Sequence, residues 1–298
     1  MSKEKIPNFQ IIPSNNFKIT IDYLSNEALD TELDAKEVKS GEVIESRRRK
    51  IVSSYKIYNV TDSIIQLSEF DRAVLDACIT EQLADNEYST PERIYHWLGG
   101  GHILTKEMRK AIVDSLERLA SVRIEIDMET AKEKIGYGAD RGKSTFKGYL
   151  MPTEYLEVKI NGQLVKSAIH FLKRGVIFAV ADAKNQIITC DQKLLEAPIR
   201  HSERGIALNH YIVRRTLEIR GSHEASKSNK HISPLRKVIL FETMLKKCGL
   251  ENATRDQRSK ARKIVEKILD YEIELGVIKS YAFEFVGGGK VRSIILEL

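Results

Sequence analysis

The stretch from Thr254 to Leu298 constrains the fold more than any other part of the chain. Its first residue is suited to cap a helix, and apolar residues then recur at helical spacing as far as Gly276, where a helix would stop. Two short β-prone segments follow, residues 277–286 and 290–296, joined by three consecutive glycines. This order predicts a helix packed beside a β-hairpin.

The two faces of the predicted helix follow from a rotation of about 100° per residue. Ala261, Ile264, Val265 and Ile268 fall on one stripe, which would face a core. The rest of the surface is basic and supplies the candidate DNA-binding residues Arg255, Arg258, Ser259, Lys260, Arg262, Lys263 and Lys267. Lys290 and Arg292, just past the glycines, place the same charge on the hairpin. Basic residues on both the helix and the hairpin favour a surface that binds a polyanion. An ordinary solvated face is the open alternative.

Positive charge is concentrated in the same third of the chain. From Arg200 to Leu298 there are 20 lysines and arginines against 12 aspartates and glutamates, a net charge of +8, whereas the remainder, with 28 against 30, has −2. Such asymmetry indicates nucleic-acid contact. A helix followed by a basic hairpin resembles the winged helix, whose recognition helix enters a DNA groove.

Composition narrows the class of protein. The chain has 298 residues, enough for two domains, and 42% hydrophobic with 30% charged residues is typical of a soluble protein. No segment is apolar enough to cross a bilayer, and three distant cysteines without CxxC spacing fit a reducing compartment. We therefore expect a cytoplasmic protein with no membrane contact.

Motifs for catalysis and cofactors are missing from the sequence. The seven histidines form no HxH or HExxH pair, so no metal site is predicted. Residues 138–144 read GADRGKS, but the phosphate-loop spacing would need glycine at position 137, which is Tyr137. We expect no cofactor and no enzymatic activity, and we interpret this segment as a glycine-rich hairpin tip whose Arg141 and Lys143 contact DNA.

Residues 1–55 are predicted to be a flexible N-terminal tail, in which the segment from Asp22 to Glu45 is acidic and has few large apolar residues. A basic run, Arg47 to Lys50, closes it and is either balanced by the acids or an arm that grips phosphates.

Residues 56–197 are predicted to form a first domain. Its helices begin at a Ser68 capping box, at Thr90-Pro91 and at Thr105, and a strand follows at Val122–Asp127. Lys106, Arg109 and Lys110 on the third helix are candidate DNA contacts. A β-rich section follows, with a hairpin at Asn161-Gly162.

Residues 198–298 are predicted to form the second, DNA-binding domain. A helix is expected over Arg204–Arg220, a loop over Gly221–Lys230, and a helix capped at Ser233-Pro234 whose core face includes Val238 and Ile239. The helix at Thr254 and its hairpin complete the domain. The fold class is therefore α+β: two tandem winged-helix domains, the first with an enlarged β-hairpin section, preceded by the flexible tail.

With two such patterns in tandem, residues 56–298 resemble the plasmid replication initiators that have two winged-helix domains. The resemblance implies a non-enzymatic protein that binds repeats in double-stranded origin DNA through its second domain. It implies that the first domain adds DNA contacts, forms a homodimer or recruits host replication proteins. A winged-helix transcriptional regulator is the alternative, and an interaction scaffold or RNA-binding protein is a further one.

Overall fold

A computed structural model describes three strands of the N-terminal region and most of the chain beyond residue 66. The described residues are 16–20, 43–48, 51–59, 67–101, 103–127, 145–160, 163–176, 178, 187–228 and 234–298. They form helices and small sheets, as the sequence predicts. Within these residues no helix is both long and apolar enough to cross a membrane.

The α-helices with described bounds follow in chain order. They are α1 (Glu69–Leu83), α2 (Pro91–Trp97), α3 (Lys106–Ser121), α4 (Glu203–Ser228), α5 (Phe241–Lys247) and α6 (Arg255–Glu274). Short 3-10 turns occupy Gln192–Leu195 and Gly287–Gly289.

The strands with described bounds are likewise numbered in chain order. They are β1 (Asn16–Thr20), β2 (Val43–Arg48), β3 (Ile51–Asn59), β4 (Tyr88–Ser89), β5 (Val122–Asp127), β6 (Thr145–Tyr149), β7 (Thr153–Ile160), β8 (Gln163–Phe171), β9 (Ile187–Asp191), β10 (Val238–Leu240), β11 (Ser280–Val286) and β12 (Lys290–Glu297).

The two halves of the chain repeat one topology. In the first, α1, β4, α2 and α3 precede the hairpin β7–β8, and the sheet order is β4-β8-β7. In the second, α4, β10, α5 and α6 precede the hairpin β11–β12, and the sheet order is β10-β12-β11. In both, the short strand after the first helix pairs with the last strand of the hairpin.

The predicted helix starts of the first half and of α6 are confirmed. Ser68 and Asp71 form the expected capping box, with the Asp71 carboxylate accepting the Ser68 backbone N–H at 2.7 Å. The hydroxyls of Thr90, Thr105 and Thr254 each accept the backbone N–H three residues on. These caps depend on neighbours in sequence alone, which is why the sequence predicts them.

The N-terminal region departs from the prediction of an irregular tail. β1 pairs with β9, so that Phe17 lies opposite Cys190. β2 and β3 form a hairpin, and β3 also pairs with β5 in a four-stranded sheet of order β2-β3-β5-β6. The prediction was wrong for these strands because β9 and β5 are distant from them in the sequence, beyond the reach of local composition.

The predicted hairpin tip near residue 141 also has a different context. Its flanking strands, β5 and β6, pair with each other but belong to the four-stranded sheet. The position that corresponds to the β11–β12 hairpin is taken by β7–β8, the hairpin predicted at Asn161-Gly162. Val122–Asp127 is a strand as predicted, but it is not part of that hairpin. Arg141 and Lys143 themselves lie outside the described residues.

Two boundaries in the second half differ from the prediction. Val238–Leu240 is a strand, and α5 begins after it without a side-chain cap, rather than at Ser233-Pro234. The strand, which contains the β-branched residues Val238 and Ile239, pairs with β12, more than 50 positions away. α4 continues through Gly221 to Ser228, and Ser222 accepts the backbone N–H of Leu235 at 3.0 Å. A tertiary contact thus supports a segment whose composition predicts a loop.

Buried apolar side chains of both halves form one continuous cluster, so the proposed division near Pro198 stays a prediction. The three cysteines, Cys78, Cys190 and Cys248, are buried and free.

Helix α1 lies at the centre and is buried along almost its whole length, including its charged residues. Both carboxylate oxygens of Glu81 are saturated. One accepts Trp97 Nε1 at 2.6 Å and Arg93 Nε at 3.0 Å, and the other accepts Asn86 Nδ2 at 2.7 Å and Arg93 Nη2 at 2.8 Å. This network attaches α2 to α1.

Two further carboxylates of α1 attach α3 and α4. Asp71 accepts both Nε and Nη2 of Arg118 on α3, at 2.9 and 2.7 Å. Glu69 forms a buried ion pair with Arg214 on α4. The first half is therefore joined to the second through the charged groups of one helix as well as through apolar packing.

We expect Glu81→Gln to lower the free energy of unfolding by about 2–4 kcal/mol, because the amide nitrogen would face two donors and Arg93 would lose its counter-charge. Urea denaturation followed by circular dichroism measures the change. Asp114→Asn is the matched control: its pair with Lys110 is solvent-exposed, so its loss should cost less than about 1 kcal/mol. Equal effects of the two substitutions would contradict this account.

Candidate nucleic-acid interface

Helix α6 presents one face to the core and the other to solvent. Ala261, Val265, Ile268 and Leu269 are buried, and Ile264 is partly buried at the edge of the predicted stripe. The helix begins at the Thr254 capping box, in which Gln257 Oε1 accepts the Thr254 backbone N–H at 2.8 Å. The predicted buried face of α6 is therefore confirmed.

We define the cationic face of α6 as its four exposed basic residues, Arg255, Lys260, Lys263 and Lys267. Lys260 pairs with Asp256 at 2.7 Å, but both side chains are more than 70% exposed, and such surface pairs contribute little. The other three make no ion pair with any residue that the structure describes. Ser259 is exposed beside them. These groups extend over about three turns of the helix and are accessible to a ligand.

Two predicted contact residues of α6 are engaged within the protein. Arg258 forms an ion pair with Glu242 of α5, and its Nε donates to the carbonyl of Ala253 at 3.1 Å. Its side chain is turned toward α5, so it positions α6 rather than extending from it. Arg262 Nε lies 3.3 Å from Glu266 Oε1, one turn along the helix, in a partly exposed pair that contributes little and leaves the guanidinium accessible to a ligand. The sequence could not separate these two arginines from the others because their partners depend on packing and rotamer.

The hairpin β11–β12 supplies the remaining predicted DNA contacts of this half. Lys290 is exposed at the start of β12 and makes no ion pair within the described part of the chain. Arg292 is exposed and lies 3.6 Å from Glu284 on the neighbouring strand. Helix α6 and its hairpin thus present accessible positive charge on both elements.

The corresponding helix of the first half has less accessible charge. Arg109 on α3 forms an ion pair with Glu92 and donates to Ser167 Oγ at 3.1 Å. Lys110 pairs with Asp114 at 2.5 Å. Lys106 is exposed and has no ion pair to a described residue. The same topology therefore carries a largely neutralised surface in the first half.

Two side chains at the hairpin tip were not singled out from the sequence. Phe285 and Val286 are 52% and 44% exposed, directly before the three glycines. The signal available in the sequence was a pair of large apolar residues at a glycine turn, where a solvated turn would have polar residues.

A buried carboxyl on the inner face of α6 connects this helix to α4. Glu272 accepts a hydrogen bond from Thr216 Oγ1 of α4 at 3.0 Å. Burial raises the pKa of Glu272 to about 8, partly opposed by the Thr216 hydrogen bond and the charge of Arg220. Arg220 Nη1 also donates to the carbonyl of Val277 at 3.2 Å, where α6 meets its hairpin. α4 thus fixes the C-terminal end of α6.

No family model and no curated protein matches this chain. Two similar solved structures both contain domains 2 and 3 of RctB. One has a TM-score of 0.44 and 11% identity over 92% of this chain and 97% of that one. The other has a TM-score of 0.44 and 9% identity over 88% of this chain and 93% of that one. A likeness this low supports no statement about function.

We expect Glu272→Gln to remove a pH dependence of stability. In the folded wild type the carboxyl holds its proton up to about pH 8, whereas its ordinary pKa is 4.5. The wild type should therefore lose stability as the pH rises between these values, by at most about 1.4 kcal/mol per pH unit. Urea unfolding of both proteins from pH 5 to pH 9 measures how the free energy of unfolding changes with pH. Parallel curves for the two proteins would contradict the assignment.

Proposed function

We propose that this chain is a sequence-specific duplex DNA-binding protein that initiates replication of a plasmid or mobile element by binding origin repeats. The observation that carries the proposal is the cationic face of α6, where Arg255, Lys263 and Lys267 are exposed without an ion pair to any described residue. Cations without a protein partner gain most from phosphates, because each contact releases counterions from the DNA.

The proposal includes two winged-helix domains in tandem. It is supported by the topology that both halves share, in which the third helix precedes a hairpin and the short strand after the first helix pairs with the hairpin's last strand. A helix of 20 residues is about 30 Å long, and the major groove, about 12 Å wide, admits a helix. In this arrangement α6 lies in the major groove and the hairpin follows the adjacent backbone.

The two halves have different tasks in this proposal. The second half supplies most of the DNA affinity, since its basic residues are accessible. The first half, where Glu92 and Asp114 neutralise Arg109 and Lys110, makes protein contacts through a homodimer or with host replication proteins. The chain acts in the bacterial cytoplasm without a cofactor and without catalysis of its own.

A winged-helix transcriptional regulator is the second candidate. The concentration of accessible charge in one half favours it, because a repressor needs a single DNA-reading module. The two candidates share the α6 interface and differ in the process that DNA binding controls, which is replication for the initiator and transcription for the regulator.

Duplex binding and replication together separate the candidates. Fluorescence anisotropy of the full chain is measured on random duplex and on duplex from around its own gene, across a salt series. The same native DNA is then placed on a plasmid without an origin, with the chain supplied in trans. Preferential binding with plasmid maintenance supports the initiator. Preferential binding without maintenance favours the regulator, and no duplex binding overturns both.

We expect Lys263→Ala and Lys267→Ala each to weaken binding to every duplex and to reduce the slope of log K against log salt by about one. The reason is the loss of one phosphate contact. Lys193→Ala is the control, since it removes an exposed lysine on the 3-10 turn of the first half. An unchanged slope in both α6 variants would exclude this face from the interface.

Ser259→Ala and Arg262→Ala should instead reduce the preference for the native site. Each lost base contact costs about 1–3 kcal/mol, whereas affinity for random duplex changes little. Competition between native and random duplex gives the ratio for each variant. If both substitutions weaken native and random binding equally, these side chains contact the backbone and not the bases.

A further inference from the structure

The tip of the β11–β12 hairpin is apolar, although the residues around it are basic. Phe285 and Val286 are 52% and 44% exposed, and Lys290 follows them across the turn. Val286 lies opposite Lys290 in the register, and Phe285 lies opposite Val291. An exposed aromatic ring and a lysine therefore share the end of one thin element.

Phe285 ends a row of aromatic rings along β11. Tyr281 and Phe283 have ring centroids 5.7 Å apart, and Phe283 and Phe285 are separated by 6.4 Å. The Tyr281 hydroxyl donates to Asp270 of α6 at 2.9 Å, which anchors the start of the row to the helix. Packing covers Tyr281 and Phe283 in part, whereas Phe285 is exposed. The row holds the base of the hairpin and leaves its last ring free.

A β-bulge changes the direction of the tip. Glu284 lies opposite Ser293 but Phe285 lies opposite Val291, so Arg292 is an extra residue on β12. Bulges bend a strand and increase its twist. The Glu284 carboxylate already has partners on the hairpin. It accepts a hydrogen bond from Ser293 Oγ, and its Oε1 lies 3.6 Å from Arg292 Nη1. The acid nearest the tip is therefore paired, and no acid among the described residues forms an ion pair with Lys290.

The three glycines keep the tip narrow. Gly288 and Gly289 have φ of 78° and 70°, which favour glycine. Gly287 has no such φ, and a Cβ built there meets no atom within 4 Å. The fold does not require glycine at 287, so its effect is to leave the end of the hairpin without side chains.

We propose that Phe285, with Val286 beside it, inserts from the minor groove between two base pairs and partly unstacks them, while Lys290 contacts a flanking phosphate. This inference rests on the proposed duplex binding and assigns a separate task to the hairpin. The minor groove is only about 6 Å wide, which suits a turn made of three glycines. Apolar side chains that insert there kink DNA. The neighbouring cations favour DNA over a protein as the occupant.

The wedge has a consequence for the bound sequence. Pyrimidine–purine steps such as TA unstack most easily, so the step under the hairpin should be of this type. Local unstacking beside a firmly bound recognition helix would also suit a protein that opens an origin.

The test uses the full chain and a duplex selected for tightest binding from a random pool, with 2-aminopurine placed in turn at each position near the expected hairpin contact. Wild type should raise the fluorescence at one step and bend the duplex, as measured by energy transfer between its ends. Phe285→Ala should abolish both signals and weaken binding about tenfold, whereas Phe285→Leu should retain them because leucine is also an apolar wedge.

A second variant guards against loss of folding. Gly287→Gln widens the tip at a position where the fold tolerates a side chain, and it adds no charge. It should lose the 2-aminopurine signal while the salt slope stays unchanged. A full 2-aminopurine signal in folded Phe285→Ala or in folded Gly287→Gln overturns the wedge. This holds even where Lys263→Ala weakens binding and so supports α6 as the interface. Failure of the wild type to bind any duplex overturns the proposed function itself.

Discussion

Burial of helix α1 is the constraint on which the rest of the structure depends. A helix covered on all sides places its carboxylates away from water, where an unpaired charge is costly. Glu69, Asp71 and Glu81 are each matched by an arginine, and each arginine comes from a different helix: α4, α3 and α2. The relative positions of these helices therefore depend on pairing the buried carboxylates of α1.

Support for the candidate interface passes from α1 through α4 to α6. Arg214 ties α4 to α1, and two residues further along the same helix Thr216 donates to Glu272 of α6. The inner face of α6 is otherwise apolar, with Glu272 held in its neutral form by burial. Because no lysine of the outer face is needed for this packing, the cationic face is available to a ligand.

The two halves show how one topology can hold different surfaces. The strand pairing of both is alike, yet the third helix is largely neutralised by nearby acids in the first half, whereas in the second it has exposed cations that form no ion pair with any described residue. Backbone pairing and core packing decide the topology, whereas the side chains outside the core decide what each half can bind. Function therefore has to be argued from the surface of each half separately.

The sequence by itself determined the helix starts of the first half and of α6, the buried face of α6 and the hairpins around Asn161-Gly162 and Gly287–Gly289, because caps, periodicity and tight turns depend on residues a few positions apart. Tertiary structure alone decided that β1 pairs with β9, that Val238–Leu240 is a strand and that β5 belongs to a second sheet. It also decided that Arg258 is held by Glu242 while Lys263 is accessible. Strand partners and ion pairs join residues distant in sequence, and only the folded chain brings them within reach.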